Sequence, residues 1–238
     1  MADSGNTAVV IGASGGLGAQ LVRQLQSSSD FGQVIGLSRS RSEHGAPHLD
    51  LTQEASITAC AAWLKDRCSL LSLRLLIVAS GFLHDEGNEP ERSLTQLNAD
   101  YLGRVFAINA IGPALLLKHV SPLLPREGDT KIVFISAKVG SIGDNALGGW
   151  YGYRASKAAL NQIVKTASIE LARRNKNICC MAMHPGTVET ALSDPFSKKG
   201  LNVRSPEVAA QEILQVVHTL DASRNGSFMD YRGQSLPW

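Results

Sequence analysis

The stretch TAVVIGASGGLGAQLVRQLQ, residues 7–26, decides the fold because it contains a strand, a glycine-rich turn and a helix in direct succession. Thr7–Ile11 is a short apolar run that is typical of a buried strand of a parallel sheet. The turn places Gly12, Gly16 and Gly18 in the pattern G-x-x-x-G-x-G. Glycines at such a junction let main-chain N–H groups approach a pyrophosphate, and the positive end of the following helix favours that anion. The stretch therefore predicts a dinucleotide-binding turn, with a purely structural turn as the alternative.

The remainder of the chain alternates apolar strand-like runs with helical patterns, which predicts an α/β fold with a doubly wound parallel sheet and helices on both faces. Pro113 predicts a kink or break in the third helical stretch. The loop of about twenty residues after Pro185 is long enough to suggest a functional segment. We find no composition break and expect a single domain over residues 1–238. Further strands are expected at residues 33–38, 48–51, 74–80, 131–136, 177–184 and 227–231, and helical stretches at 16–26, around 57–64, at 94–124, at 153–173 and from Ser205.

Composition excludes several classes of protein. The 238 residues carry a formal charge of only +2, with 44% apolar and 18% charged residues, so a nucleic-acid partner is not expected. The amino terminus has no basic region before an apolar run, and the longest apolar stretch is interrupted by Arg74, so neither a signal peptide nor a membrane span is predicted. No residue spacing matches a metal site. The cysteines are expected to be reduced thiols in a cytoplasmic protein, and they are Cys60, Cys68, Cys179 and Cys180.

The end of the second predicted strand distinguishes between the two nicotinamide dinucleotides. An acidic residue at this point binds the ribose 2′-hydroxyl of NAD, whereas an arginine accommodates the 2′-phosphate of NADP. Ser38 and Arg39 stand where the acid would be expected, and Arg41 follows closely. A guanidinium can bind a phosphate through two hydrogen bonds, so NADP(H) is favoured over NAD(H). The alternative is that Arg39 is a solvated surface arginine.

The sequence YRASK, residues 153–157, places Tyr153 and Lys157 on one face of a helix because they are four residues apart. A free tyrosine has a pKa near ~10 and is a poor base at neutral pH. A neighbouring ammonium and an oxidised nicotinamide would both favour the phenolate and lower the pKa of Tyr153. The pair therefore predicts proton exchange at a carbonyl or alcohol oxygen, with Tyr153 as general acid or base. Tyr151 lacks a lysine four residues on and is the weaker candidate.

Taken together, these motifs resemble the short-chain dehydrogenase/reductase family over essentially the whole chain, which implies a Rossmann-type fold. Asp50 in HLDLT resembles the family's adenine-contacting aspartate, and Asn109 in INAIGP resembles its structural and proton-relay asparagine. The turn VASG, residues 78–81, matches only partly because Ser80 replaces an alanine, whereas HPGTVET, residues 184–190, resembles the segment beside the nicotinamide. The resemblance implies cofactor contacts from Gly12, Ser14, Gly16, Leu17, Gly18, Ser38, Arg39, Asp50, Leu51, Ala79, Ser80, Gly81, Tyr153, Lys157, Pro185, Gly186, Thr187, Val188 and Thr190.

The family's catalytic serine is where this sequence departs from the pattern. The usual position lies three residues before a glycine, and relative to Gly140 that residue is Ala137. Ser136 lies one place earlier and would need a bulge to turn into the site, because side chains alternate along a strand. Ser141 could substitute, or the donor could be missing. We predict that Ser136 fills the role.

The stretch at residues 136–161 and the closing GQSLPW are similar to a subgroup that includes the C-factor signalling protein and sniffer-like carbonyl reductases. We predict an NADPH-dependent carbonyl reductase, and the apolar residues of the predicted pocket favour a moderately hydrophobic ketone or aldehyde as its substrate. The alternative is a dinucleotide-binding regulatory protein with little turnover. The family resemblance also implies a homodimer or homotetramer built from the helices at about 94–120 and 153–174.

The predicted substrate pocket has three walls, residues 82–93, 141–150 and 188–204. His184 is interpreted as a packing or turn residue, and Lys198 and Lys199 as a solvated pair. The apolar contacts expected in this pocket are Leu147, Trp150, Leu192 and Phe196.

Overall fold

A computed structural model describes residues 5–40, 45–67, 73–193 and 202–238. Within these ranges a parallel sheet of six strands runs in the order β2-β1-β3-β4-β5-β8. Two short strands, β6 and β7, form a separate parallel pair. The strands are β1 (Thr7–Ile11), β2 (Gln33–Leu37), β3 (Leu73–Val78), β4 (Thr130–Ile135), β5 (Ile178–His184), β6 (Thr187–Val188), β7 (Val203–Arg204) and β8 (Phe228–Asp230).

Helices cover both faces of the main sheet. Alternate residues of each strand point to opposite faces, so Val9 and Ile11 pack with α2, α4 and α5, while Ala8 and Val10 pack with α1 and α6. This confirms the doubly wound α/β fold. The helices are α1 (Gly16–Ser27), α2 (Glu54–Arg67), α3 (Ala99–Phe106), α4 (Gly112–Val120), α5 (Tyr151–Arg174) and α6 (Pro206–Thr219).

The strand predicted at residues 48–51 is wrong. This segment has no ladder partner, and its link to β2 is one bond from the Leu49 N–H to the Ser38 carbonyl, 2.9 Å. Pro47 removes one backbone donor at its start. The Ser56 hydroxyl accepts the Asp50 N–H and donates to the His48 carbonyl, so a side chain satisfies the backbone groups that a neighbouring strand would otherwise pair.

The kink or break predicted at Pro113 is seen as a change of helix type: the helical run continues, but a π-helical segment, Ala107–Ile111, separates α3 from α4, whose first turn contains Pro113. The wider turn of a π-helix accommodates a ring that cannot donate a hydrogen bond. The continuous run Ala99–Leu123 is long and apolar enough to cross a membrane by composition, a property shared by core helices of soluble proteins. Leu116 and Val120 of this run are buried in the core.

Candidate active site

A cavity of about 1630 Å³ opens at the carboxyl ends of the parallel strands, where loops from β1, β2, β3, β4 and β5 meet. Such an edge is the expected ligand site of an open α/β sheet. The structure brings to this cavity every residue predicted for the cofactor and catalytic sites except Asn109, which is fully buried behind its wall.

The glycine turn is shaped for close approach of backbone to a ligand. Gly12 has a φ of +86°, and a Cβ atom there would lie 2.8 Å from the Ser80 backbone nitrogen. A Cβ atom at Gly18 would overlap the Gly12 carbonyl oxygen. No side chain caps the first turn of α1, so its N–H groups face the cavity without a side-chain acceptor. These features fit the pyrophosphate of a dinucleotide.

The residues that follow β2 line the part of the cavity where the adenosine of a dinucleotide would lie, called here the adenosine end. Arg39 is exposed there, and its carbonyl oxygen forms a hydrogen bond with His48 Nδ1, 2.9 Å. The Asp50 carboxylate accepts the Thr52 N–H at 2.9 Å and the Thr52 hydroxyl at 2.7 Å. These bonds and the charge of Arg39 lower the pKa of Asp50. Arg41 lies outside the described residues.

The Ser80 hydroxyl is a second feature that fits a bound ligand. It is buried at the cavity wall and has no hydrogen-bond partner among the described residues. Buried hydroxyls are normally satisfied, so this group is suited to a hydrogen bond with a molecule in the cavity. Ser80 is the residue at which the turn after β3 departs from the family pattern.

Tyr153 and Lys157 lie on the cavity side of α5, and both are buried. The Lys157 Nζ atom donates to the Ile135 carbonyl, 3.0 Å, and lies 5.9 Å from the centre of the Tyr153 ring. Burial lowers the pKa of Lys157 to about 8 and raises the pKa of Tyr153 above its ordinary value. The chain's own groups therefore do not produce the lowered tyrosine pKa that we predicted, because removal of the phenol from water has the largest effect and raises the pKa.

Asn109 connects the loop after β3 to α5. Its Oδ1 accepts the Phe82 N–H at 2.8 Å, and its Nδ2 donates to the Phe82 carbonyl at 2.8 Å and to the Ser156 hydroxyl at 3.1 Å. Both amide protons are thus used. The π-helical segment directs this side chain inward, so the structural part of the family role has a clear basis, whereas the proton-relay role stays a prediction.

Ser136 lines the cavity, but its hydroxyl donates to Asn161 Oδ1 at 2.7 Å. The pairing of β4 with β5 is regular to Ile135, so no bulge precedes this serine. Ser141 is buried away from the cavity and donates to the Trp238 carbonyl at 3.3 Å. Of the two hydroxyls, only that of Ser136 can reach a molecule in the cavity by rotating about its side-chain bond.

The segment after β5 is fixed by Arg204. Its guanidinium donates to the Pro185 carbonyl, pairs with Glu212 and stacks 3.4 Å from the centre of the Tyr231 ring. Gly186 has a φ of +72°, and a Cβ atom there would overlap Arg204. His184 lines the cavity, and burial lowers its pKa to about 4, so its ring is neutral at pH 7.

The substrate end of the cavity has an apolar lining. Three of the four apolar contacts that we predicted, Leu147, Trp150 and Leu192, line it together with Phe82. Phe196, Lys198 and Lys199 lie outside the described residues.

Several site residues were missed by the sequence analysis. Asn161 lies four residues after Lys157 on α5, so helical spacing could have indicated it. Glu91 is a buried carboxylate that accepts the Gly152 N–H at the start of α5. Nothing in its surrounding sequence distinguishes it from a loop glutamate. Arg154 donates to the Val139 carbonyl and Arg204 to the Pro185 carbonyl, contacts between separate segments that no local pattern reveals.

Comparison with known proteins decides the family. The family model described as short chain dehydrogenase matches residues 6–200. The chain belongs to the short chain dehydrogenase family. As a short chain dehydrogenase with the expected fold and cofactor turn, it is an NAD(P)-dependent oxidoreductase.

The similar proteins include a dehydrogenase and a C-signal protein. A 1-hydroxy-2-glutathionyl-2-methyl-3-butene dehydrogenase of Rhodococcus sp. (strain AD45) is 29% identical over 98% of this short chain dehydrogenase and 100% of the relative. The C-signal protein of Myxococcus xanthus is 32% identical over 59% of this chain and 82% of the relative. The predicted resemblance to the subgroup of C-factor and sniffer-like proteins is thereby confirmed on the C-factor side.

Solved structures confirm the predicted resemblance to sniffer-like carbonyl reductases. The NADPH-bound carbonyl reductase from chicken fatty liver superposes with a TM-score of 0.85 at 25% identity, covering 98% of this short chain dehydrogenase and 94% of that chain. The carbonyl reductase Sniffer of Drosophila melanogaster gives a TM-score of 0.85 at 25% identity, with coverages of 98% and 99%.

Proposed function

We propose that this enzyme reduces the carbonyl group of a small ketone or aldehyde with NADPH. One observation carries the proposal: Tyr153 and Lys157 are buried at the wall of the same cavity whose other end is the glycine turn. A proton donor and a dinucleotide site therefore share one enclosed space. Bound NADPH supplies the hydride, and the residues of the chain supply the proton and the orientation.

Tyr153 holds its proton at neutral pH because burial raises its pKa. This state suits a general acid, which donates the phenolic proton to the substrate oxygen as negative charge develops there. Lys157, with a pKa of about 8, is charged at pH 7 and stabilises the phenolate that remains. Asn109 forms hydrogen bonds to the loop at Phe82 and to α5 at Ser156, and so holds the helix that carries Tyr153 in place against this loop.

The cavity favours an uncharged, moderately apolar substrate. Among the described residues, two basic side chains at the substrate end are paired: Arg104 with Asp85, and Lys138 with Asp144 at 3.3 Å. Arg154 donates to backbone carbonyls, among them that of Gly149 at 2.9 Å. These cations are engaged within the protein, so the apolar lining supplies the main contact to a ligand. The carbonyl reductases among the structural relatives support this substrate class.

A Tyr153→Phe variant tests the proposal. The variant loses the phenolic proton but keeps the ring, so we expect turnover to fall by about 10²-fold or more, with NADPH affinity unchanged. NADPH oxidation with a panel of aldehydes and ketones, read at 340 nm, measures turnover, and cofactor fluorescence measures binding. Tyr151→Phe, on the same helix turn, is the matched control and should retain wild-type rates. Full activity of Tyr153→Phe would contradict the proposed chemistry.

Arg39 underlies the preference for NADPH. Its exposed side chain lines the adenosine end of the cavity, where the guanidinium can bind a 2′-phosphate. We expect Arg39→Asp to raise KM for NADPH by about 10²-fold and to leave KM for NADH within roughly threefold. Arg23→Asp, which makes the same change of charge on α1 outside the cavity lining, controls for net charge. A wild-type preference for NADH would defeat this assignment.

A regulatory role is the second candidate. The hydroxyl of Ser136 is engaged by Asn161, which fits a protein that binds a dinucleotide but turns over slowly. The similarity to the C-signal protein points the same way. Tight cofactor binding without activity on any carbonyl compound would favour this role. We also propose a cytoplasmic protein and a homodimer or homotetramer built through α3, α4 and α5.

A further inference from the structure

Three consecutive residues before α5 adopt left-handed backbone conformations. Gly148, Gly149 and Trp150 have φ values of +63°, +65° and +53°. Trp150 is the one non-glycine residue of the described ranges with a positive φ. A bulky side chain is disfavoured in this region because its Cβ approaches the following carbonyl. The Gly148–Trp150 turn is thus strained at its last residue.

Glu91 holds this turn from the loop after β3. Its backbone carbonyl accepts the Trp150 N–H at 2.5 Å, and its carboxylate, in a residue only 2% exposed, accepts the Gly152 N–H at 3.1 Å. Trp150 provides no side-chain cap for α5, so Glu91 caps the helix that carries Tyr153 from a distant part of the chain. A negative charge at a helix N-terminus is stabilising.

Arg154 holds the turn from the other side. Its Nε donates to the Gly149 carbonyl at 2.9 Å and its Nη2 to the Gly148 carbonyl at 3.1 Å. Its Nη1 donates to the Val139 carbonyl at 3.3 Å, which ties the turn to the end of β4. The conformation of Trp150 is therefore enforced by two charged side chains.

The enforced conformation places the indole beside the proton donor. The ring centres of Trp150 and Tyr153 are 6.1 Å apart, with an interplanar angle of 79°, and both residues line the cavity. A glycine or asparagine would satisfy the same backbone angles with less strain. Backbone strain that persists at a site is typically linked to its function, and the position of this indole points to contact with the ligand.

We propose that Trp150 is the specificity-determining residue of this enzyme and that it selects carbonyl compounds with an aromatic ring next to the carbonyl group. The inference rests on the proposed carbonyl reduction and deepens it. The indole provides an aromatic wall of the cavity beside the Tyr153 ring. Aromatic pairs gain attraction beyond that expected from their buried area. Glu91 is a positioning residue, since it acts through the turn.

The test compares benzaldehyde with propanal as substrates of the wild type and of Trp150→Gly. We expect kcat/KM for benzaldehyde to fall by roughly tenfold or more, while that for propanal stays within about threefold. The melting temperature should stay equal or rise, because glycine relieves the strained φ. Trp150→Asn, which also tolerates this conformation, repeats the test if the glycine variant does not fold. Ile142→Ala, a change at an exposed residue of the same loop outside the cavity lining, is the control.

Glu91 is tested by its own pair of variants. Glu91→Ala should raise KM for benzaldehyde with little change in KM for NADPH, and Glu91→Gln should restore the wild-type value because its amide oxygen still accepts the Gly152 N–H. Equal losses for benzaldehyde and propanal in Trp150→Gly, or no loss for either, overturn the role of Trp150. Inertness of the wild type toward both compounds overturns the proposed function itself.

Discussion

Ser136 lies at the end of β4 with its hydroxyl on Asn161, 2.7 Å away, and with its side chain at the cavity wall. A hydroxyl has one proton to donate. In this position the proton goes to the amide oxygen of α5, so a substrate oxygen would receive it only after the side chain rotates. The conformation of the Ser136 side chain therefore decides whether a substrate carbonyl oxygen accepts a hydrogen bond from Tyr153 alone or from both Tyr153 and Ser136.

Replacing Ser136 tests the second donor. We expect Ser136→Ala to lower kcat by about 10²-fold, as loss of an oxyanion-type donor does. Steady-state kinetics with a saturating aldehyde measures the change. Ser141→Ala removes a hydroxyl that faces Trp238 and should leave kcat unaltered. Near-normal turnover of Ser136→Ala would leave Tyr153 as the only side-chain donor.

Spacing alone predicted that Tyr153 and Lys157 share a helix face, and the structure places both at the cavity. It did not predict that Lys157 Nζ donates to the Ile135 carbonyl, because β4 lies more than twenty residues earlier in the chain. The pKa of Tyr153 was predicted in the wrong direction because the burial that raises it arises from packing between distant segments. Contacts between distant segments carry no local pattern, and the acidity of a buried group depends on them.

At the scale of elements, the π-helical segment between α3 and α4 allows the helical run to pass close to the loop after β2. Gly112 follows this segment, and a Cβ atom there would lie 2.5 Å from the Leu51 carbonyl oxygen. Leu51 lines the cavity at its adenosine end. The absence of a side chain at residue 112 thus lets the helix and the cofactor loop touch.

A glycine-to-alanine pair tests this close approach. We expect Gly112→Ala to lower the free energy of unfolding by about 2 kcal/mol or more, because backbone must move to admit the methyl group. Gly103→Ala, in α3, meets nothing within 4 Å and should raise it by about 0.5–1 kcal/mol. Urea denaturation measures both. A stable Gly112→Ala protein with unchanged cofactor affinity would contradict the packing argument.

Apolar periodicity predicted all six strands of the main sheet, with β8 inside the range expected near residues 227–231, and it added one false strand at residues 48–51. The false strand arose because a short run with alternating polarity also fits a loop whose backbone is satisfied by a hydroxyl, here that of Ser56. Pro113 marked a real change in the helix, since a π-helical segment lies just before it. The helical run continues because the widened turn accommodates a ring that cannot donate a hydrogen bond.

At the scale of the whole molecule, the helices on one side of the sheet leave large apolar side chains in solvent. Ile111 is 53% exposed and Ile169 on α5 is 52% exposed. Exposed apolar residues on neighbouring helices are suited to an interface between identical subunits. This surface and the family resemblance support the homodimer or homotetramer that we propose.

Light scattering after gel filtration tests the assembly. We expect the wild type to run as a dimer or tetramer and Ile169→Lys to shift to smaller species, because a buried ammonium at an interface is costly. Ile142→Lys, which changes an isoleucine 79% exposed in a loop, should leave the mass unchanged. A wild type that is monomeric at all concentrations would overturn the proposed interface.

The shared direction of the six sheet strands has a practical consequence for handling the protein. Every group assigned to chemistry lies at the rim where the strands end, whereas Lys176 and Arg126 lie near the rim where β5 and β4 begin. Lys176 is solvent-exposed there. A dye, tether or solid support attached through that amine would face away from the chemistry, so an immobilised biocatalyst could be prepared without obstructing reactant entry.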